Sequence, residues 1–160
     1  MRFLKSFKYA FRGIVYCINN ERNMRIHTVA ALYVFAFSFF FTVSRTGYAL
    51  LCLTVASVIT AEMFNTVAEE LSDMAAASFN PVVRIVKDMA AGAVLICALF
   101  AVGVGICIFW QPASFLKMFR FFASNPLMLL LLIAVTALSV VYVLLGPIGI
   151  RDWIRKKRGN

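Results

Sequence analysis

The sequence predicts an all-α integral-membrane bundle, with an N-terminal amphipathic helix in the interface followed by four transmembrane helices. Three observations predict it. First, 62% of the 160 residues are hydrophobic, against roughly 45–50% in a soluble domain. Second, the apolar residues collect into four runs, Thr28–Val43, Tyr48–Glu62, Met89–Trp110 and Pro126–Leu145. Third, with both termini cytoplasmic, thirteen of the sixteen Lys and Arg residues fall on the inner side, as the positive-inside rule requires. The net charge of +9 is then a matter of topology and anionic lipid, and nucleic acid is not an expected partner.

From the N-terminus, Phe3, Phe7, Phe11, Ile14 and Ile18 form one helical stripe, and Arg2, Lys5, Tyr9 and Arg12 gather on the other side. A basic amphipathic helix of this kind lies in the membrane interface, as a plain anchor or as part of a site. Residues 19–25 form a polar island holding Glu21, the only acid among the first 61 residues. Glu21 and Arg25, spaced i, i+4, are readable as a surface ion pair or as one side of a cation site completed by other acids.

The first apolar run is shorter than the roughly 20 residues of a span and needs its flanks. No signal-peptide cleavage pattern is evident. His27 sits at its mouth as an interfacial polar residue. Residues 42–47 make a short turn, so the first two spans should be antiparallel neighbours. Cys17, Cys52, Cys97 and Cys107 lack Cys-x-x-Cys spacing and read as small apolar residues.

The second run continues without Gly or Pro into Ala61–Asp73. There Glu62, Asn65, Glu69 and Asp73 fall within an arc of roughly 80° at about 100° per residue. A helix rising from Tyr48 puts Glu62 near the inner edge of the hydrocarbon, with Glu69 and Asp73 nearer water. Acids at that depth are costly and imply function.

Residues 74–80 are small and irregular before Pro81, which can open a helix. Arg84, Lys87 and Asp88 follow at the same membrane level. Each taken alone reads as a snorkelling or helix-terminal charge; facing the acidic stripe, they read as part of a site. Residues 111–125 read as an external loop, with a short amphipathic segment possible along the outer interface. Residues 126–146 form a span without ionisable groups, and residues 147–160 a basic cytoplasmic tail.

No phosphate-binding Gly loop, zinc cluster or nucleophile elbow is present. Six of the seven acids lie between Glu21 and Asp88. Carboxylates that hold magnesium with substrate phosphates, beside basic groups, suit phosphoryl transfer. A poorly solvated carboxylate at the hydrocarbon edge suits a general base. A proton or cation pathway also uses membrane acids, but the outer half of every span here lacks them.

These residues also carry a resemblance. Asn20-Glu21 with Arg25, the spacing of Glu62, Asn65, Glu69 and Asp73, and Lys87-Asp88-Met89-Ala90-Ala91-Gly92-Ala93-Val94-Leu95 resemble the bacterial integral-membrane diacylglycerol and undecaprenol kinases. Arg2, Lys5 and Tyr9 stand at that family's spacing before Glu21, and the likeness covers about residues 2–110. It implies a domain-swapped homotrimer with shared active sites in the bacterial cytoplasmic membrane. Glu62 would be the base, and Glu21 and Glu69 would carry the magnesium on ATP. Arg2, Tyr9, Asn65, Lys87, Asp88 and the Ser78-Phe79-Asn80 turn would hold the nucleotide. Arg2, Glu62 and Arg25 would meet the lipid, and Asp73 would support the stripe.

Two departures stand out. Phe79-Asn80 replaces the Tyr-His many members have, and a fourth span follows the usual three. Residues 1–110 are thus expected as the kinase domain and 126–146 as an additional helix. The form of residues 22–27 and of Ser6-Phe7-Lys8-Tyr9-Ala10 favours undecaprenol as substrate, with diacylglycerol second. A non-enzymatic interaction or transport protein is the remaining alternative.

Overall fold

The computed structural model describes residues 2–75 and 81–158, with Arg2 and Arg158 described by backbone alone. Six helices occupy the described residues: α1 (Arg2–Asn20), α2 (Arg22–Ser38), α3 (Arg45–Ala75), α4 (Pro81–Phe109), α5 (Pro112–Ser124) and α6 (Pro126–Arg158). Proline begins α4, α5 and α6, where its missing N–H costs no helical bond and its fixed φ suits the first turn. The start of α3 is capped differently. Ser44 Oγ accepts from the Gly47 N–H at 3.0 Å, satisfying one of the free donors of the first turn.

Helices α3, α4 and α6 are long and apolar enough to cross a membrane. Most large apolar side chains of α4 and α6, Leu99, Phe100, Leu127 and Leu138 among them, are exposed, as expected of surfaces whose solvent is lipid. The chain is a membrane protein. Helices α3 and α4 form the most extensively packed pair, a hairpin against which α2 lies. Helix α6 packs on α2 and α1 rather than on that hairpin.

Three expectations change. The first apolar run was expected to cross as 28–43, but α2 ends at Ser38 after 17 residues. The Phe40 and Phe41 amides bond to Phe37 O and Ser38 O in tighter i→i−3 turns, both at 3.0 Å. Those rings are drawn aside by other aromatics: Phe41 meets Phe109 and Phe115 at 5.0 Å, and Phe40 meets Phe121 at 5.3 Å. Residues 112–124, expected as an external loop with room for a short amphipathic segment, are the helix α5, whose Phe115, Phe121 and Phe122 rings meet Phe41, Phe40 and Phe37. Gln111 fastens the corner, accepting from the Thr42 N–H at 3.1 Å and donating to Thr42 O at 3.2 Å.

Gly146, expected to end the last span, does break α6, with φ 65 and ψ 171. The chain resumes as helix through residue 158, so much of the expected basic tail is helical. Polar ties hold α6 in place. Tyr33 OH lies 3.0 Å from Thr136 Oγ1 and 3.4 Å from Ser139 Oγ, and Arg25 Nε donates to Val143 O at 3.1 Å.

Candidate functional site

Helix α3 runs unbroken from Arg45 to Ala75, so the stripe keeps the geometry its spacing demands. Glu62 is 0% exposed, and neither of its carboxylate oxygens has a hydrogen-bond partner. A buried carboxylate without donors forfeits its hydration for nothing in return unless a ligand or a proton supplies it. One turn on, Asn65 is also buried. Its Nδ2 donates to Glu69 Oε1 at 2.8 Å, while its Oδ1 is buried and unpartnered. Thr66 is fully satisfied, donating to Glu62 O at 3.1 Å. The unpaired atoms therefore concentrate on the side chains of Glu62 and Asn65.

Glu21 comes to this cluster from the α1–α2 corner. It is the N-cap residue of α2, with φ −98 and ψ 121, and its N–H still closes α1 on Cys17 O at 2.8 Å. Its pKa is raised from the ordinary value, first by burial and then by the charges of Glu69 and Glu70; Arg25 opposes the shift. Glu62 lies within electrostatic reach of both Glu21 and Glu69. A single chain thus gathers carboxylates from the α1–α2 corner and from α3.

Lys87 of α4 reaches the lower end of the stripe, where its Nζ pairs with Asp73 Oδ1. Asp88 turns away to Arg84, 3.9 Å away within the same helix, and both are exposed. Tyr9 is exposed on α1. The side chain of Arg2 and the Ser78-Phe79-Asn80 turn lie outside the described residues.

Arg25 departs most from expectation. It makes no ion pair with Glu21; among the described residues the ion pairs are Arg84–Asp88, Lys87–Asp73 and Arg151–Asp152. Buried at 6% exposure, it donates to three main-chain carbonyls instead. A surface i, i+4 pair is worth a few tenths of a kcal/mol, and carbonyls left over at helix ends offer a cation a better-formed set of acceptors.

Glu70 and Tyr16 were missed. Tyr16 OH donates to Glu70 Oε1 at 2.5 Å, joining α1 to α3 beside Glu69. The bond to this carboxylate raises the Tyr16 pKa. Glu70 lies just beyond the arc of the stripe, so only its adjacency to Glu69 hinted at a role.

Among the described residues, no three His, Cys, Asp or Glu side chains are grouped to hold a metal ion alone. Magnesium does not require such a cage, because it is commonly bound by one or two carboxylates together with substrate phosphates and waters. Glu21 and Glu69, with Asn65 holding Glu69 in place, fit that demand.

Two hollows lie along α3 near the cluster. A groove of about 530 Å³ between α3 and α4, walled by Ala56, Thr60, Phe64 and Ala93, touches the cluster only at Asn65. A smaller one, about 110 Å³, lies among α2, α3 and α4, with His27 on its rim and Val58 in its wall. Val58 is one turn from Glu62 on the same side of α3, so the smaller hollow is the one aligned with the buried carboxylate.

The prokaryotic diacylglycerol kinase family matches residues 8–109. Over 110 residues the chain is 37% identical to a diacylglycerol kinase of Synechocystis sp., an alignment covering 68% of this chain and 63% of that protein. Over 108 residues it is 33% identical to an undecaprenol kinase of Bacillus subtilis, covering 68% of this chain and 88% of that protein. Helices α5 and α6 lie beyond the family match.

Proposed function

The chain belongs to the prokaryotic diacylglycerol kinase family, and on that premise we propose that it transfers the ATP γ-phosphate to a membrane lipid alcohol. The observation that carries this reading is Glu62: a fully buried carboxylate with neither oxygen bonded, in a cluster with Glu69, Glu21 and Asn65. Glu62 accepts the proton of the lipid hydroxyl as that oxygen bonds to the γ-phosphorus and the bond to the bridging oxygen of ADP breaks. A carboxylate stripped of water is a stronger base than one in solution. Its burial also keeps water from competing for the phosphoryl group.

Glu21 and Glu69 would hold magnesium, which would offset the charge of the phosphates. Asn65 fixes the Glu69 carboxylate through its Nδ2. Lys87 and Asp88 bind the nucleotide, with Arg2, Tyr9 and the 78–80 turn around it. Lys87 must exchange Asp73 for phosphate, a step that its half-exposed position and the exposed Asp73 carboxylate permit.

The substrate is undecaprenol in the first reading. The kinase from Bacillus subtilis bears that name, and residues 22–27 favour it. Diacylglycerol is the second reading, supported by the name of the Synechocystis relative. The chain works as a homotrimer in the bacterial cytoplasmic membrane, with α1 in the interface, α2, α3, α4 and the first limb of α6 spanning, and both termini cytoplasmic. Protein purified in mixed micelles with γ-labelled ATP, magnesium and each alcohol in turn tests the reading. Label should move to undecaprenol above diacylglycerol, and no transfer to any lipid alcohol would remove the kinase assignment.

A further inference from the structure

Gly146-Pro147 breaks α6 beside the α1–α2 corner, and the break frees a carbonyl. Proline has no N–H, so the carbonyl four residues earlier, Val143 O, loses its helical donor. Arg25 Nε fills the vacancy at 3.1 Å. The same guanidinium donates from Nη1 to Ile18 O and Asn19 O, both at 3.1 Å, in the last turn of α1. The buried charge thus faces the C-terminal ends of two helices, α1 and the first limb of α6, where the partial negative charge of the helix dipole collects.

Gly146 is required twice over at this contact. Its φ of 65 lies in the left-handed region, and a Cβ there would meet Arg25 Nη1 at 2.9 Å and Cζ at 3.0 Å. Glycine alone meets both demands without strain.

The contact bears on the site through Glu21, the single residue between α1 and α2. The angle between those helices sets where the Glu21 carboxylate points, and Arg25 grips α1 at carbonyls two and three residues before it. Its third hold is on α6, outside the region the family matches. We propose that Arg25 is a positioning residue through which α6 fixes the Glu21 carboxylate at the metal–nucleotide site. The proposal rests on the reading above, in which Glu21 holds the metal.

The test uses the full chain in micelles, titrated with Mn²⁺ in the presence of a non-hydrolysable ATP analogue and followed by electron paramagnetic resonance. Arg25→Gln and Gly146→Ala should each weaken Mn²⁺ binding about tenfold, as loss of a group that orients a ligand does. Binding of the metal-free analogue should stay unchanged. Adding Gly146→Ala to Arg25→Gln should weaken Mn²⁺ binding no further, although the backbone strain at φ 65 lowers the melting temperature by itself, since α6 reaches Glu21 only through the guanidinium.

If Glu21→Gln weakens Mn²⁺ binding while Arg25→Gln and Gly146→Ala bind as wild type, the positioning role is overturned and the metal site stands. Equal loss of metal-free nucleotide binding in the two variants also overturns it, marking a role in folding alone. If Glu21→Gln binds Mn²⁺ as wild type does, the earlier assignment of Glu21 falls, and this one with it. Should Arg25→Gln fail to fold, Arg25→Lys keeps the charge while its single ammonium cannot span all three carbonyls. Weaker Mn²⁺ binding is again expected, and unchanged binding overturns the proposal.

Discussion

Asn65 holds Glu69: its Nδ2 donates to Glu69 Oε1 at 2.8 Å one turn along α3, while its own Oδ1 stays buried and unpartnered. The amide thus serves the acid below it and keeps an acceptor free for a ligand. Replacing Asn65 with Leu removes both functions while keeping the branching of the side chain. The variant should need about tenfold more magnesium for half-maximal activity, the usual scale for an orienting group. A magnesium titration of the turnover rate checks this.

Glu69→Gln acts on the metal directly. An amide oxygen is a weaker ligand for a hard cation than a carboxylate, so the magnesium requirement should rise further than in Asn65→Leu. An unchanged metal dependence would remove Glu69 from the metal site.

The raised pKa of Glu21 gives a pH dependence of definite sign. Burial and the charges of Glu69 and Glu70 make the folded protein hold this proton above the ordinary 4.5. Between the ordinary and the folded value, the folded state binds more protons than the unfolded state, so the metal-free protein loses stability as pH rises through that window. Metal requires the ionised form, so magnesium affinity should increase over the same window. Thermal melts with and without magnesium across pH 4 to 8 (about the range of carboxylate shifts) should converge at the acid end, and Glu21→Gln should flatten both trends.

Much of this site was legible because helical periodicity is rigid. Four residues spaced over 62–73 on an unbroken helix can point only one way, and α3 carries them so. The acidic neighbour Glu70 was not legible, since its bond to Tyr16 depends on how α1 crosses α3. Nor was the role of Arg25. The i, i+4 spacing offered Glu21 as a partner, whereas the actual acceptor is a carbonyl freed by a proline 122 positions later in the chain. The early end of α2 likewise follows from rings on α4 and α5 drawing Phe40 and Phe41 aside, a tertiary effect that composition does not encode.

Removing α5 and α6 by ending the chain after Trp110 tests what lies beyond the family match. Arg25 loses Val143 O, Tyr33 loses Thr136 and Ser139, and the Phe face of α2 loses α5. The truncated chain should melt at lower temperature and require more magnesium. A melting point and metal requirement equal to those of the full chain would show that α6 is an accessory to neither.

The most direct measurement is phosphoryl transfer by Glu62→Gln. Glutamine matches the shape of glutamate and cannot accept the proton, so the folded variant should lose about 10²–10⁴-fold in turnover, the range of general-base catalysis. Magnesium and ATP binding should remain near those of the wild type. Wild-type turnover by Glu62→Gln would contradict the assignment of Glu62 as the base on which the proposed chemistry depends.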